Sequence, residues 1–469
     1  MNFAFVRQGG SLSKLSFYAA GLVVFLAALP AISAGSSKVK IRGYITTRSN
    51  ADTLMILDDK VHISSSTRLD VENPSATKTL SLAELAPGTF IEAEGTWTAH
   101  HDFAAEKISC NAEQFDHVIH SNAYLQTEPE TAEAILANQS ARLKADGELL
   151  LIDTNTKRKW KVDDSTPLQV RSPDATGLRF VGEEIRYSGV RGVDGAIAVE
   201  QIQLGERPPK DAYRIPGDRS VIPAKDPQTK IAVLEIRKGN KLEGRLKLFD
   251  VQEVQDYVRH LGERLLPPAA DVTARALEFR FFVVEDPSIN AGALPDGTVL
   301  VNTGLLGSVE NESQLAFVLS HEIAHVLQAH QWREAKDTRA ARVSLIVGGL
   351  AAGAFIGNLG VFLSEIGLEA VVNGYSRRIE NQADRLGLQN VIDLGYDPRS
   401  SVAFFRTMVE HYGRSSSAIW SNHDSNLVRG SFLSVQLMRQ YPQGQFDHSV
   451  VNTQSFKNMK LVMGPVKIM

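Results

Sequence analysis

The sequence predicts a multidomain protein in which two tandem small all-β modules precede a mainly α-helical domain with a small β-sheet. The 469 residues are 43% hydrophobic and 22% charged, which is typical of globular proteins and sufficient for about three domains. A pattern of strands and glycines recurs at an offset of 94 residues in the first half of the chain. In the second half, segments that carry histidines and carboxylates have apolar residues at helical spacing.

Charge and cysteine content exclude several classes of function. A net charge of -4 gives no electrostatic support for binding nucleic acid. The single cysteine, Cys110, can form neither an intramolecular disulfide nor a cysteine-rich zinc cluster. Any metal site must therefore use histidines and carboxylates.

Residues 1–34 have the pattern of a secretory signal peptide. Arg7 and Lys14 precede an apolar run over residues 17–29, and small residues follow Pro30. Because the run is shorter than the ~20 residues that a bilayer needs, a cleaved signal is favoured over an uncleaved anchor. We therefore expect export to the periplasm or another extracytoplasmic space, with membrane association left open.

The two β modules are predicted over residues 38–118 (module 1) and 135–205 (module 2). Gly95 and Gly189, like Ile108 and Ile202, illustrate the offset of 94. About five strands in some 70 residues favour an OB-like barrel, since a closed sheet has no unpaired edges. Aromatic residues are sparse and the charges are mixed, so a spacer or docking role for an envelope protein partner is favoured over ligand binding.

His100 and His101, with His117 and His120 nearby, raise the question of a metal site in module 1. No carboxylate or cysteine stands at a defined spacing from them. Exposed loop histidines are therefore the favoured interpretation.

Residues 206–230 contain several prolines among charged residues and are predicted to be an interdomain linker. The third domain is then expected over residues 231–469. In it, apolar residues recur at helical spacing from Glu312 to His330, and Asn311 or Ser313 is available as the N-cap. This segment is predicted to be an amphipathic helix.

The predicted helix contains His321, Glu322 and His325. A step of four residues is slightly more than one helical turn, so both imidazoles project from one face and can bind one Zn²⁺ per chain. Glu322 lies next to the first histidine, where its carboxylate can take a proton from a water activated by the metal. A His-Glu-x-x-His pattern arises by chance in on the order of a few in a hundred proteins of this size. The pattern alone is therefore only suggestive, and a third metal ligand must come from elsewhere in the chain.

Glu380 and Asp384 share one face of a second predicted helix. Glu380 can complete a set of two histidines and one glutamate with an open fourth position, and Asp384 can hold the N–H of a zinc-binding histidine. A solvated helix carboxylate is the less favoured alternative for Glu380, given the paired histidines.

Three stretches, in order, resemble the zinc metallopeptidase family that includes HtpX, the CAAX prenyl protease and the BepA-type periplasmic proteases. They are residues 290–305, residues 311–330, which end at His330, and residues 380–384. The resemblance covers roughly residues 245–430 and implies a zincin-like gluzincin endopeptidase domain. It also implies an edge strand that binds extended substrates by β-augmentation. The residues of that strand are Thr298, Val299, Leu300, Val301 and Asn302.

Residues 421–429 depart from the family pattern, because Asn422 and Asp424 flank His423 where the family has a Thr-His-Pro run. By resemblance, His423 is a candidate fourth zinc ligand or oxyanion stabiliser, with Arg429 assisting. A loop histidine with structural contacts is the alternative.

Residues 344–363 are uncharged and long enough to span a membrane. Gly349, Gly353 and Gly357 recur at a four-residue spacing that allows close helix packing. A single span would place His325 and Glu380 on opposite sides of the membrane. A buried or membrane-touching helical hairpin is therefore favoured, which allows peripheral membrane contact.

These observations predict a zinc endopeptidase of the cell envelope with Glu322 as the general base. Unfolded or misassembled proteins are the expected substrates, from the resemblance alone. The alternative is a largely latent protease that acts as a chaperone or assembly factor through its β modules. Nucleic-acid binding by the barrels is opposed by the charge balance and by export.

Overall fold

The computed structural model describes residues 38–72, 81–111, 208–266, 277–341, 375–414, 425–441, 444 and 446–468. It also describes the backbone of several strands between residues 118 and 204. The predicted signal peptide, the segment 344–363 and His423 lie outside the described residues. The described residues from Lys38 onward belong to one compact unit.

The N-terminal region is all-β, as predicted. Strands β1 to β7 form one sheet in the order β1-β6-β7-β4-β3-β2, with β5 also pairing with β7. Residues Ile45 and Thr46 alone separate β1 from β2. Ile45, Leu54 and Phe103 are fully buried in the core of this sheet. The strand bounds are Val39–Tyr44, Thr47–Asn50, Thr53–Ile56, Asp59–His62, Arg68–Glu72, Phe90–Ala99 and Asp102–Asn111.

A second sheet follows in the order β10-β9-β12-β11-β8. Its register repeats that of the first sheet: Gly95 pairs with Ala105, Gly189 pairs with Val199, and a register shift precedes each glycine. Strand β8 lies before residue 135 yet pairs with β11, so this sheet begins earlier than the predicted module 2. The duplication stays a prediction that the shared register supports. The strands β8 to β12 are Val118–Tyr124, Ala141–Leu143, Leu149–Leu151, Glu184–Arg191 and Ile197–Leu204.

The prediction of a linker over residues 206–230 is wrong in its second half. Strand β13 (Arg219–Lys225) pairs along its length with β14 (Ala232–Lys238), which pairs in turn with β15 (Lys241–Lys247). Pro223 lies in β13, the outer strand, where a missing N–H breaks no ladder bond. The apolar side of this sheet packs on Leu300 and Tyr375 of the following region.

The C-terminal region is mainly helical and contains a small sheet of β16 (Arg280–Val284), β17 (Ala291–Ala293) and β18 (Thr298–Asn302). Helices α1 to α4 are Gln252–Leu265, Thr303–Ser308, Glu312–Leu327 and His330–Ala341. Helices α5 to α8 are Arg377–Asp393, Arg399–Tyr412, Asn426–Gln440 and Gln454–Met463. Every described helix is too short or too polar to cross a membrane.

The prediction that residues Thr298–Asn302 form an edge strand is wrong. Strand β18 lies between β16, which is parallel to it, and β17, which is antiparallel, and all its residues are buried. Its apolar run is the pattern of a strand covered on both sides. Ala291–Ala293 is an edge strand of this small sheet.

Module 1 packs directly on the helices of the C-terminal region. The Tyr44 N–H donates to Ser431 Oγ over 2.9 Å, and Asn381 Nδ2 donates to the Tyr44 hydroxyl over 2.7 Å. The Tyr44 ring also contacts Phe432, with 5.4 Å between ring centroids. Because Asn381 follows Glu380 in α5, the β module contacts the helix that carries a predicted metal ligand.

Candidate metal centre

The motif helix α3 is shorter than predicted. Asn311 Oδ1 accepts from the backbone N–H of Gln314 over 2.9 Å, which makes Asn311 the N-cap. The helix ends at Leu327 rather than continuing to His330, because Ala329 has a left-handed conformation with φ 50°. His330 begins helix α4 instead. The predicted amphipathic pattern is also incomplete, since the polar face of α3 is buried together with the apolar one.

Helix α5 packs closely against α3. A Cβ on Gly387 would lie 3.0 Å from His321 N, so the absence of a side chain permits this approach. The packing brings the carboxylate-bearing face of α5 against the two histidines of α3.

His321, His325 and Glu380 converge in the buried interior of this pair of helices. The two Nε2 atoms of the histidines are 3.0 Å apart. Glu380 Oε2 lies 3.7 Å from His321 Nε2, and Glu380 Oε1 lies 3.6 Å from His325 Nε2. The three side chains are nearly inaccessible to solvent, at 0%, 4% and 0% exposure.

Asp384 and Arg429 fix the tautomer of His321. His321 Nδ1 lies 2.9 Å from Asp384 Oδ1, which accepts a proton on Nδ1 and leaves the Nε2 lone pair toward Glu380. Arg429 Nη2 lies 3.1 Å from His321 Nδ1 and 3.3 Å from His321 Nε2. Arg429 donates to both oxygens of Asp384, over 3.0 Å and 2.5 Å. Burial lowers the pKa of Arg429, but the charges of Asp384 and Glu380 outweigh burial and leave this pKa above its usual value. Arg429 therefore remains a cation beside Asp384.

His330 and Gln382 fix the tautomer of His325 in the same way. His330 Nδ1 lies 3.0 Å from His325 Nδ1, and His330 Nε2 lies 2.8 Å from Gln382 Oε1. The amide oxygen of Gln382 can only accept, so the proton of His330 is on Nε2 and its Nδ1 accepts from His325. The Nε2 lone pair of His325 then faces His321 and Glu380. The end of helix α3 and the left-handed Ala329 turn His330 back toward His325.

This donor set fits a zinc ion. Two imidazole lone pairs that face each other over 3.0 Å repel each other, and each also repels the Glu380 carboxylate. A cation between these atoms would turn the repulsion into attraction. Two neutral histidines and one carboxylate are the protein ligands of many catalytic zinc sites. The residues that would hold the metal are His321, His325 and Glu380, the same three that the sequence predicts.

Tyr375 and a short strand border the centre. The Tyr375 ring stacks on His325, with 4.3 Å between centroids, and both residues line a cleft together with Ala293. Burial, followed by the charges of Glu322 and Glu380, raises the pKa of the Tyr375 phenol well above its usual value. The phenol is therefore a neutral donor at physiological pH. At the edge strand, Gln331 Nε2 donates to Ala293 O over 3.1 Å.

Of the predicted site residues, the structure brings together His321, Glu322, His325, Glu380, Asp384 and Arg429. Glu322 is buried at 2% exposure in the turn of α3 between the two histidines. The sequence pattern does not predict the roles of His330, Gln382 and Tyr375. His330 and Gln382 stand in motif stretches that the resemblance already covered, but their mutual contact depends on the turn at Ala329.

Comparisons with known proteins agree with this geometry. Residues 252–437 match the family model described as peptidase family M48, and residues 42–109 match a domain of unknown function, DUF5666. The beta-barrel assembly-enhancing protease of Escherichia coli K12 is 30% identical over 186 residues, which cover 38% of this chain and 37% of that protein. The mitochondrial metalloendopeptidase OMA1 of Schizosaccharomyces pombe is 35% identical over 203 residues, covering 39% of this chain and 59% of that protein.

The chain spans about a third of the length of the bacterial relatives, from Vibrio cholerae and Escherichia coli, that it matches. In each of these matches the similarity covers well under half of this chain, and the M48 match contains the three candidate ligands. Residues 252–437 are therefore similar to the zinc metallopeptidases of peptidase family M48.

Proposed function

We propose that this chain is a zinc-dependent endopeptidase that is exported to the cell envelope and cleaves unfolded or misassembled proteins. The observation that carries the proposal is the convergence of two imidazole lone pairs and the Glu380 carboxylate at one buried point. The names of the relatives, a beta-barrel assembly-enhancing protease and a metalloendopeptidase, support the reaction. The signal-like sequence of residues 1–34 supports export.

Bound zinc would supply Lewis-acid polarisation of a peptide carbonyl and of water. Glu322, beside His321, takes a proton from the attacking water and delivers it to the leaving nitrogen. Tyr375, kept neutral by its surroundings, can donate a hydrogen bond to negative charge that develops in the cleft. Arg429 acts through Asp384 and holds the His321 ring in its orientation.

Substrate binding is proposed at the edge strand Ala291–Ala293 in place of Thr298–Asn302. Gly292 pairs with Leu300 of β18, and Ala293 lines the cleft that contains His325. An extended peptide that pairs with this edge would run past the candidate zinc site. Gln331, which now donates to Ala293 O, would give up that acceptor to the peptide.

The β modules are proposed to be OB-like barrels that dock the enzyme to an envelope protein. Support comes from the antiparallel pairing of β1 with β6 and of β2 with β3, and from the parallel pairing of β4 with β7. Strands β1 and β2 are the two outer strands in the order of this sheet, and only two residues separate them in the chain. Their closeness favours a sheet that closes into a barrel. The peripheral membrane contact of residues 344–363 and a role for His423 stay predictions.

The variant Glu322→Gln tests the proposed activity. We expect cleavage of unfolded casein to fall by about 10²–10⁴-fold, as for the loss of a general base, while the zinc content stays at that of the wild type. The matched control is Glu310→Gln, just before α3, which should leave both quantities unchanged. Equal cleavage by Glu322→Gln and wild type would eliminate the peptidase function.

The alternative of a largely latent protease that works as an assembly factor rests on the direct packing of module 1 against α5 and α7. In that case Glu322→Gln would support envelope assembly in cells as well as the wild type does. Deletion of the β modules would abolish that support. Loss of the cellular function in Glu322→Gln would count against the alternative.

A further inference from the structure

A second cluster of histidines and carboxylates lies where module 1 meets the helical region. His100 and His101 form the turn between β6 and β7, and Glu410 lies near the end of α6. We propose that these three side chains form a second site for a divalent transition metal, most simply Zn²⁺, which joins the β module to the peptidase domain. From the sequence, exposed loop histidines are the favoured interpretation here, because no carboxylate or cysteine stands at a defined metal-ligand spacing from them.

The fold supplies the missing carboxylate. Glu410 Oε1 lies 3.1 Å from His101 Nε2, and Glu410 Oε2 lies 3.7 Å from His100 Nε2. The candidate ligand atoms all lie within 4.8 Å of one another. The two imidazole rings are 4.3 Å apart and nearly perpendicular, at 82°. One metal ion can therefore contact all three side chains.

The tautomer of His101 is set by a buried acid. His101 Nδ1 lies 2.8 Å from Asp59 Oδ1, and Asp59 is 1% exposed. Arg414 donates to both oxygens of Asp59, over 2.7 Å and 2.6 Å, and lies over the Trp97 ring. Asp59 thus offers His101 Nδ1 an acceptor, and Arg414 Nη2 lies 3.3 Å from the same nitrogen. The Nε2 atom of a neutral His101 then carries a lone pair that points at Glu410.

A lone pair and a carboxylate oxygen 3.1 Å apart require a cation between them or a proton on the ring. The tautomer chosen by Asp59 is the one that zinc-binding histidines adopt when a carboxylate holds their other nitrogen. Two imidazoles and a carboxylate suit Zn²⁺, with water completing the shell on the exposed side of His100. A metal at this point would bridge module 1 and helix α6.

The second metal site would connect module 1 to the peptidase domain through helix α6. Helix α6 packs on the motif helix α3, where Phe405 contacts Phe317 with 6.1 Å between ring centroids. Arg406 of the same helix pairs with Asp58 of module 1 over 3.0 Å. A metal bound by Glu410 would therefore fix module 1 to the helix that supports the candidate catalytic centre.

Zinc stoichiometry of the whole chain tests the second site. After dialysis against buffered micromolar Zn²⁺ at pH 7.5, we expect two equivalents in the wild type and one in Glu410→Gln. His325→Ala should also retain one equivalent, and the double variant none. The matched control is His62→Ala, which should retain two equivalents: His62 pairs with Asp102 in the same module but belongs to no three-ligand group among the described residues.

The design separates this inference from the proposed function. A stoichiometry that Glu410→Gln leaves unchanged would overturn the second site. A stoichiometry that His325→Ala leaves unchanged would contradict the catalytic centre instead. As a second measurement, added Zn²⁺ should raise the melting temperature of His325→Ala and not that of His325→Ala/Glu410→Gln. Equal shifts in both would also overturn the proposal.

Discussion

The two histidine clusters share one supporting arrangement. In each, a buried aspartate accepts from the Nδ1 atom of a histidine and is held by an arginine that donates to both carboxylate oxygens. The histidine, aspartate and arginine are His321, Asp384 and Arg429 in one cluster, and His101, Asp59 and Arg414 in the other. In both, the Nε2 atom of the histidine faces a glutamate.

The clusters differ in burial and in where their ligands come from. Glu380 is fully buried, whereas the Glu410 side chain is 41% exposed. The first cluster lies on two adjacent helices, and the second joins a β turn to a distant helix. A buried, rigid donor set can hold a metal with an open position for chemistry, while an exposed set at an interface suits a structural link. The same arrangement of histidine, aspartate and arginine therefore suits a catalytic site when it is buried and a structural metal site when it is exposed.

The largest effect that separates the clusters is expected from matched changes of the two aspartates. Asp384→Asn should weaken zinc binding at the catalytic centre by about 100-fold, because the fully buried Arg429 loses its strongest partner. Asp59→Asn should weaken the second site by only about 10-fold, since water can reach Arg414. Competition with a chromophoric chelator measures both affinities.

Circular dichroism controls for folding of these variants. If Asp384→Asn folds as the wild type does and binds zinc equally well at the catalytic centre, Asp384 does not orient His321. Equal losses in the two variants would show that burial is not what distinguishes the clusters.

A smaller effect is expected at the start of α3. Glu312, 1% exposed, accepts from Thr453 N over 3.1 Å and from the Tyr396 hydroxyl over 2.7 Å. Burial raises the pKa of Glu312, but hydrogen bonds from Thr453 and Tyr396 outweigh it and hold this pKa below its usual value. Glu312→Gln should lower the free energy of unfolding by about 2 kcal/mol near pH 7, as for a charged hydrogen-bonding group.

The sign of the pH dependence follows from that lowered pKa. The stabilisation by Glu312 is fully present above the pKa of the unfolded state, about 4.3, and is lost as the pH falls through the lower pKa of the folded state. Urea denaturation at pH 7 and at acidic pH should therefore show a difference between wild type and Glu312→Gln that shrinks with acidity. A difference that grows on acidification would contradict this assignment. Zinc at the second cluster should be unaffected at pH 7.

The smallest of these effects is expected from His330→Ala. Removing the ring leaves His325 Nδ1 without its acceptor, and zinc affinity at the catalytic centre should fall by about 10-fold. His260→Ala, an exposed histidine on α1, is the matched control. An unchanged affinity in His330→Ala, with an unchanged melting temperature, would show that His330 does not position His325.

Local patterns predicted the centre of the site better than its surroundings. His321 and His325, like Glu380 and Asp384, are four residues apart on a helix, so helical geometry alone places each pair on one face. The turn at Ala329 could not be predicted, since neither glycine nor proline marks it and tertiary contacts hold it in a left-handed conformation.

The wrong predictions for β18 and β13, and the missed contact of Glu410, all concern partners that are distant in the sequence. The second partner of β18 is the parallel strand β16, and a short apolar run does not reveal how many partners it has. Strand β13 contains a proline and has a charged residue at each end, features that a linker also shows. Glu410 is separated from His101 by more than 300 residues, so no spacing rule connects them.

X-ray data collected on either side of the zinc absorption edge would test the central claim most directly. We predict an anomalous peak in contact with His321 Nε2, His325 Nε2 and the Glu380 carboxylate, and a second, weaker peak between His101 and Glu410. The absence of a peak among His321, His325 and Glu380 in zinc-loaded crystals would contradict the assignment of this chain as a zinc peptidase.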